Sequence, residues 1–97
     1  MVNFNMDGEN LTLTFPKKID TALCATFEAE LLEKIKTGSP EVQFNLAGVE
    51  YIASSFLRIC LELAKQIGTE RFTLINVPPF VQKVFKVAGL DGQLTIK

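Results

Sequence analysis

The sequence predicts an α/β fold: a single domain over residues 1–97, built as a mixed β-sheet in the order ββαβαβαβ with its helices packed on the sheet. Three observations carry that prediction. Apolar residues alternate with polar ones in short runs, as strands require, and recur every three to four residues in longer runs, as helices require. After two opening alternating runs the two patterns take turns along the chain. Most of the switches fall at Gly, Pro or Asp.

The first pair of runs is a β-hairpin. Val2, Phe4 and Met6 alternate with Asn3 and Asn5, and beyond the turn pair Asp7-Gly8 the pattern resumes as Leu11, Leu13 and Phe15 against Thr12 and Thr14. Pro16 and two lysines end that pairing, and Asp20 is placed to accept hydrogen bonds from the free N–H groups of a helix opening near Thr21.

In that helix Leu23, Phe27 and Leu31 fall at fourfold spacing beside Cys24, Leu32 and Ile35, with Glu28, Glu30, Glu33 and Lys34 on the wet side. Gly38, as a left-handed cap, and Pro40 are its expected stop. Val42, Phe44 and Leu46 make the third strand, and a loop through Gly48 leads to Tyr51-Ile52-Ala53-Ser54-Ser55 and a second helix with the apolar set Leu57, Cys60, Leu61, Ala64 and Ile67.

Gly68 closes the second helix, and Phe72, Leu74 and Ile75 form the fourth strand. Pro78-Pro79 open a third helix carrying Val81, Val84, Phe85 and Ala88, which Gly89 caps. The Asp91-Gly92 turn then sends Leu94 and Ile96 into a final strand. Each strand-helix-strand crossover is expected to be right-handed, which sets parallel strands side by side after the hairpin.

Composition narrows the function. With 97 residues and 47% of them apolar, one core can be buried without disulfide or metal staples. The formal net charge is -1, with Lys and Arg scattered, so the basic stripe that neutralises nucleic-acid phosphates is missing. No apolar run approaches the roughly 18 residues of a membrane span, and the opening residues lack a cationic leader, so a cytoplasmic location without membrane insertion is expected.

Cys24 and Cys60 are too far apart for a CxxC pair or a metal knuckle and read as packed thiols. Histidine is absent, which removes the side chain most used for acid/base work near neutral pH. No Walker or dinucleotide-type glycine loop occurs. The chain is therefore expected not to be an enzyme, with no catalytic residues, no cofactor and no metal.

One segment exceeds what packing requires. Ala53-Ser54-Ser55-Phe56 places two hydroxyls at a helix start, where one serine suffices as a cap worth about 1 kcal/mol and no glutamate completes a capping box. The spare hydroxyl is a candidate for modification, because a helix N-terminus favours phosphate. Phe56 reads either as a core plug or as an exposed knob for a partner.

Strand order and this segment together resemble the STAS family, the domain of bacterial anti-sigma factor antagonists and of sulfate-transporter tails, over nearly the whole chain. Ile19-Asp20 stands where the family has a Leu-Asp opening its first helix. Phe44, Leu46, Val49, Tyr51 and Ala53-Ser54-Ser55-Phe56 correspond to its apolar strand and Asp-Ser-Ser/Thr-Gly motif. Leu74-Ile75-Asn76-Val77 and the helix running into Gly89-Leu90 match its later strand, loop and Gly-Leu. Ala53 and Phe56 depart from the motif's aspartate and glycine.

The resemblance implies a protein-protein interaction module of bacterial signalling and transcription regulation. Unmodified, it binds a serine-kinase anti-sigma factor; phosphorylation breaks the contact and a serine phosphatase restores it. Carried over by position, Ser55 is the phosphorylated residue, and the binding face gathers Asp20, Ser54, Ser55, Phe56, Arg58 and Asn76, with the hydroxyl-bearing tip facing outward. The alternative is an accessory STAS subunit that docks on the ATPase of an ABC-type lipid transport complex without phosphorylation.

Overall fold

The computed structural model describes residues 1–38 and 40–97. Strands β1 (Asn3–Asp7) and β2 (Asn10–Thr14) form the hairpin, followed by β3 (Lys18–Ile19), α1 (Thr21–Gly38), β4 (Glu41–Asn45) and β5 (Tyr51–Ile52). Then come α2 (Ser54–Ile67), β6 (Phe72–Ile75), α3 (Pro79–Val87) and β7 (Thr95–Ile96). The main sheet has the order β1-β2-β4-β6-β7, with β1 antiparallel to β2 and the rest parallel.

That is the expected ββαβαβαβ path with one addition: the two-residue strands β3 and β5 pair with each other in parallel, apart from the main sheet. They arise just where Pro16 and the lysines were expected to end pairing. Lys18 nonetheless lies opposite Tyr51, because strand formation needs only backbone partners.

Period two decides which face of the sheet is covered. Leu11 and Leu13, Val42 and Phe44, and Phe72 and Leu74 are buried, while Thr12, Gln43 and Thr73 between them line an open polar depression on the other side. All three helices contribute to the same core as those strands, so the molecule is two layers, helices over one sheet face. Phe15 holds the centre edge-on to Phe27, Phe44 and Phe56, with ring centroids 5.3, 5.1 and 5.5 Å away. Such pairs add about 0.5–1.5 kcal/mol each beyond burial.

Three local expectations are corrected. The buried stripe of α2 is Phe56, Ile59, Cys60, Leu63 and Ala64, so the helix is rotated by about one residue from the predicted face, and Leu57, Leu61 and Ile67 sit at its margins. Gly38 is the last residue of α1, so the helix stops there as expected, but without the expected left-handed backbone, unlike Gly68 and Gly89, whose φ values of 94° and 77° follow the ends of α2 and α3. The last strand begins at Thr95, one residue after the buried Leu94.

Candidate functional site

The β3–β5 pair sets two helix starts side by side. Glu50 and Tyr51 donate their N–H groups to the Lys17 carbonyl at 2.7 and 3.2 Å, and Ala53 donates to the Ile19 carbonyl at 2.8 Å. Ile19 pairs with Ile52, so one residue further on Asp20 and Ala53 are neighbours, and α1 and α2 both begin there. Asp20 Oδ1 accepts the Leu23 N–H at 2.9 Å, which is the capping role its position implied.

At the start of α2 inside and outside alternate sharply. Ala53 is buried and, having no polar side chain, caps nothing. Ser54, the first helical residue, is exposed. Ser55 is half-buried, and its hydroxyl is turned inward: Oγ is closed off from solvent and has no hydrogen-bond partner among the described residues.

The neighbour of that hydroxyl is the Cys24 thiol of α1. Burial pushes this thiol's pKa up while the Ser55 hydroxyl pulls the other way. Burial is the larger of the two effects, and the Oγ itself is left without a satisfying hydrogen bond among the described residues. An unsatisfied buried hydroxyl costs about 1–3 kcal/mol. The expected outward tip is therefore corrected at Ser55, whose Oγ packs into the seam between α1 and α2, and holds at Ser54.

Phe56 is also corrected as a partner contact. Its exposure is 0%, and beyond Phe15 it lies 5.9 Å from the Phe44 ring and 6.5 Å from that of Phe85. With the polar sheet face solvated, the single apolar layer needs a large ring at this helix start to meet Phe15, and the plug reading prevails.

Arg58 is exposed and lies a turn further along α2. Its guanidinium donates to Glu28 at 3.3 Å and to Glu62 at 2.8 Å, so it braces the outside of the α1–α2 seam. The Glu28 carboxylate is the main cause of its raised pKa.

Asn76 follows β6 with a left-handed φ of 52°, which asparagine tolerates. Its Nδ2 donates to Asn45 Oδ1 at 3.2 Å, an oxygen that also accepts the Ala47 N–H at 3.1 Å, so the ends of β4 and β6 are tied together. Asp20, Ser54 and Asn76 thus share the carboxyl end of the parallel strands, where open α/β sheets present their sites.

Two residues at this end were not singled out in the sequence. Tyr51, 51% exposed, immediately precedes the serine segment, and Phe80, 42% exposed, opens α3. A two-residue strand is too short to show the alternation that turns Tyr51 outward, and Pro78-Pro79 hid Phe80 among capping signals. Among the described residues no group of three or more His, Cys, Asp or Glu side chains is placed to hold a metal ion. No helix among them is long and apolar enough to cross a membrane.

The family model described as Mlab, STAS domain, matches residues 2–96. The chain belongs to the STAS family. The putative anti-sigma factor antagonist BtrV of Bordetella bronchiseptica is 32% identical over 73 residues, which cover 73% of this chain and 63% of BtrV. This chain thus spans less than two thirds of that relative's length.

Among solved structures, the anti-sigma factor antagonist SpoIIAA in its unphosphorylated form superposes with a TM-score of 0.85 at 20% identity, covering 100% of this chain and 88% of that one. The phosphorylated form of SpoIIAA from Bacillus gives a TM-score of 0.79 at 19% identity, covering 100% and 91%. An anti-sigma factor antagonist from Mycobacterium paratuberculosis gives 0.84 at 18% identity, covering 99% and 83%. At these identities the agreement is one of fold: the STAS arrangement of three helices on a mixed sheet.

Proposed function

We infer that this STAS domain is an anti-sigma factor antagonist-type regulator, without chemistry of its own, working in the cytoplasm by docking the helix-start end of the fold on a serine-kinase anti-sigma factor. The observation that carries the reading is the exposed Ser54 at the first position of α2, flanked by the exposed Tyr51 and Asp20. An aromatic beside small polar groups is the make-up of an interface anchor with its rim. The kinship with BtrV, named a putative anti-sigma factor antagonist, supports the partner class.

In this reading the switch is phosphorylation of Ser54. Its hydroxyl is the one open to a kinase, whereas that of Ser55 is sealed against Cys24. A phosphate there brings nearly two negative charges beside Asp20 into a surface that the partner must desolvate, and a phosphatase restores binding by removing it. Incubating the recombinant domain with extract of its native host and ATP, followed by fragment-ion mass spectrometry, is expected to find one phosphate, on Ser54. Phosphate on Ser55 would reverse the assignment, and none would remove the switch.

One observation favours a second reading, the accessory subunit docked constitutively on a transporter ATPase. Ala53 is buried and, as the N-cap of α2, makes no side-chain cap bond, so the helix start needs no modification chemistry to serve as a shaped contact. A kinase or phosphatase gene beside this one supports the first reading, and a transporter ATPase gene the second.

A further inference from the structure

The three helices present different charge to solvent. α1 carries Glu28, Glu30 and Glu33 against Lys34 and Lys36, and Arg58 of α2 is held by Glu28 and Glu62. α3 has only the exposed Lys83 and Lys86, and neither makes an ion pair among the described residues. Asp91 borders the same shallow hollow as both lysines without pairing with them. From residue 71 to residue 90 the sequence holds three basic residues and no acidic one, so this stretch carries +3 while the remainder of a chain of net -1 carries -4.

That charge lies along an apolar ridge. Val81 and Phe85 fix α3 to the core, and on its outer side Phe80, Val84 and Val87 fall at helical spacing with Lys83 among them. Phe80 is 42% exposed and Val87 80%, and among the described residues no other helix has two large apolar side chains open to solvent. The two lie about 10 Å apart along the helix axis.

A surface that complements this face is anionic and accepts apolar side chains without a pocket shaped to each. Nucleic acid meets the first need only, since a phosphodiester backbone gains nothing from Val87. An acidic protein would need separate cavities for two spaced knobs. The headgroup region of an anionic bilayer meets both needs: the apolar side chains sink toward the acyl boundary, and the lysines lay their stems beside them with the ammonium groups at the phosphates. The negative remainder of the chain is repelled by the same surface and turns α3 toward it. We propose that the exposed face of α3 rests on an anionic lipid surface, with Phe80 and Val87 as its apolar contacts and Lys83 and Lys86 as its headgroup contacts. Such a contact needs no membrane-spanning helix. Asp20, Tyr51 and Ser54 lie on other elements, so the inference stands or falls apart from the docking reading.

The chain has no tryptophan, so Phe80→Trp introduces a single fluorescent reporter at an exposed position. With vesicles of phosphatidylcholine and phosphatidylglycerol in equal parts at low salt, its emission is expected to shift to the blue and to be quenched by brominated acyl chains. The parent chain is expected to float with the same vesicles, and neither effect should occur with phosphatidylcholine alone. Replacing both lysines, Lys83→Gln with Lys86→Gln, is expected to weaken partition by about tenfold, and Val87→Ser by about threefold, with circular dichroism unchanged. No binding to the mixed vesicles, equal binding to phosphatidylcholine alone, or binding that survives the lysine replacements would overturn the proposal. So would a response to polyglutamate and not to vesicles, which would mark an acidic protein as the partner. A response from Tyr51→Trp with none from Phe80→Trp would place the contact at the docking end and overturn it as well.

Discussion

Two neighbouring regions of this domain use similar residues to opposite ends. The interior is a cluster of phenylalanine rings around Phe15 that includes Phe56, while a few residues earlier in the chain Tyr51 stands half exposed beside Ser54. Segment 51–56 therefore crosses from surface to core and back within one turn: Tyr51 outside, Ala53 inside, Ser54 outside, Ser55 Oγ and Phe56 inside. The lesson is that an aromatic at a helix start is not an interface residue by virtue of its position. What separates the two rings is whether the sheet beneath supplies other rings to meet them.

The sharpest way to break this contrast is to exchange the roles. Phe56→Ala is expected to cost about 3–5 kcal/mol in chemical denaturation by leaving a void among Phe15, Phe44 and Phe85, whereas Tyr51→Ala should leave stability within about 0.5 kcal/mol. Partner affinity should respond in reverse, with Tyr51→Ala losing about 2 kcal/mol as an interface anchor does. If Tyr51→Ala binds as the parent does, the anchor lies elsewhere, and Phe80 becomes the next ring to truncate.

The thiols sharpen the interior half of the contrast. Burial raises the pKa of Cys60 well above the ordinary 9.0, with the Cys24 charge adding to it. Above pH 9.0 the unfolded chain gives up that proton while the folded chain keeps it, so folding stability falls as pH rises, by about 1.4 kcal/mol per unit for this group until its folded pKa is passed. Denaturation midpoints from pH 8 to 11 should show a shallower decline in Cys60→Ala than in the parent; equal slopes would mean that the thiol is not held in the apolar core.

The smallest effect belongs to Ser55. Because its hydroxyl is enclosed and unsatisfied, Ser55→Ala should be neutral or stabilising by up to about 1 kcal/mol, and Ser54→Ala should change stability less. A clear loss in Ser55→Ala would show that the oxygen contributes a real bond to Cys24.

Much of the architecture is legible in residue spacing. Leu11-Leu13, Val42-Phe44 and Phe72-Leu74 announce their strands by alternation, Asp20 announces its cap, and Gly68 and Gly89 announce helix ends. The β3–β5 pair was not legible, because two residues carry no period and their pairing is purely between backbones. The face of α2 was misjudged because Leu57 and Leu61 are as apolar as Ile59 and Leu63, and only the fit against Phe15 selects between the two stripes. The inward turn of Ser55 had no signal in the sequence: it depends on a space beside Cys24 that exists only once α1 and α2 have met.

The docking end can be tested against the far face of the sheet in one affinity-capture measurement from the native host. Three tagged baits suffice: the parent, Ser54→Asp at the start of α2, and Gln43→Glu on the open polar face. Quantified by mass spectrometry, the principal partner should be recovered equally with the parent and Gln43→Glu and reduced at least tenfold with Ser54→Asp. Equal recovery with Ser54→Asp, or its loss with Gln43→Glu instead, would contradict the placement of the interface at the helix starts.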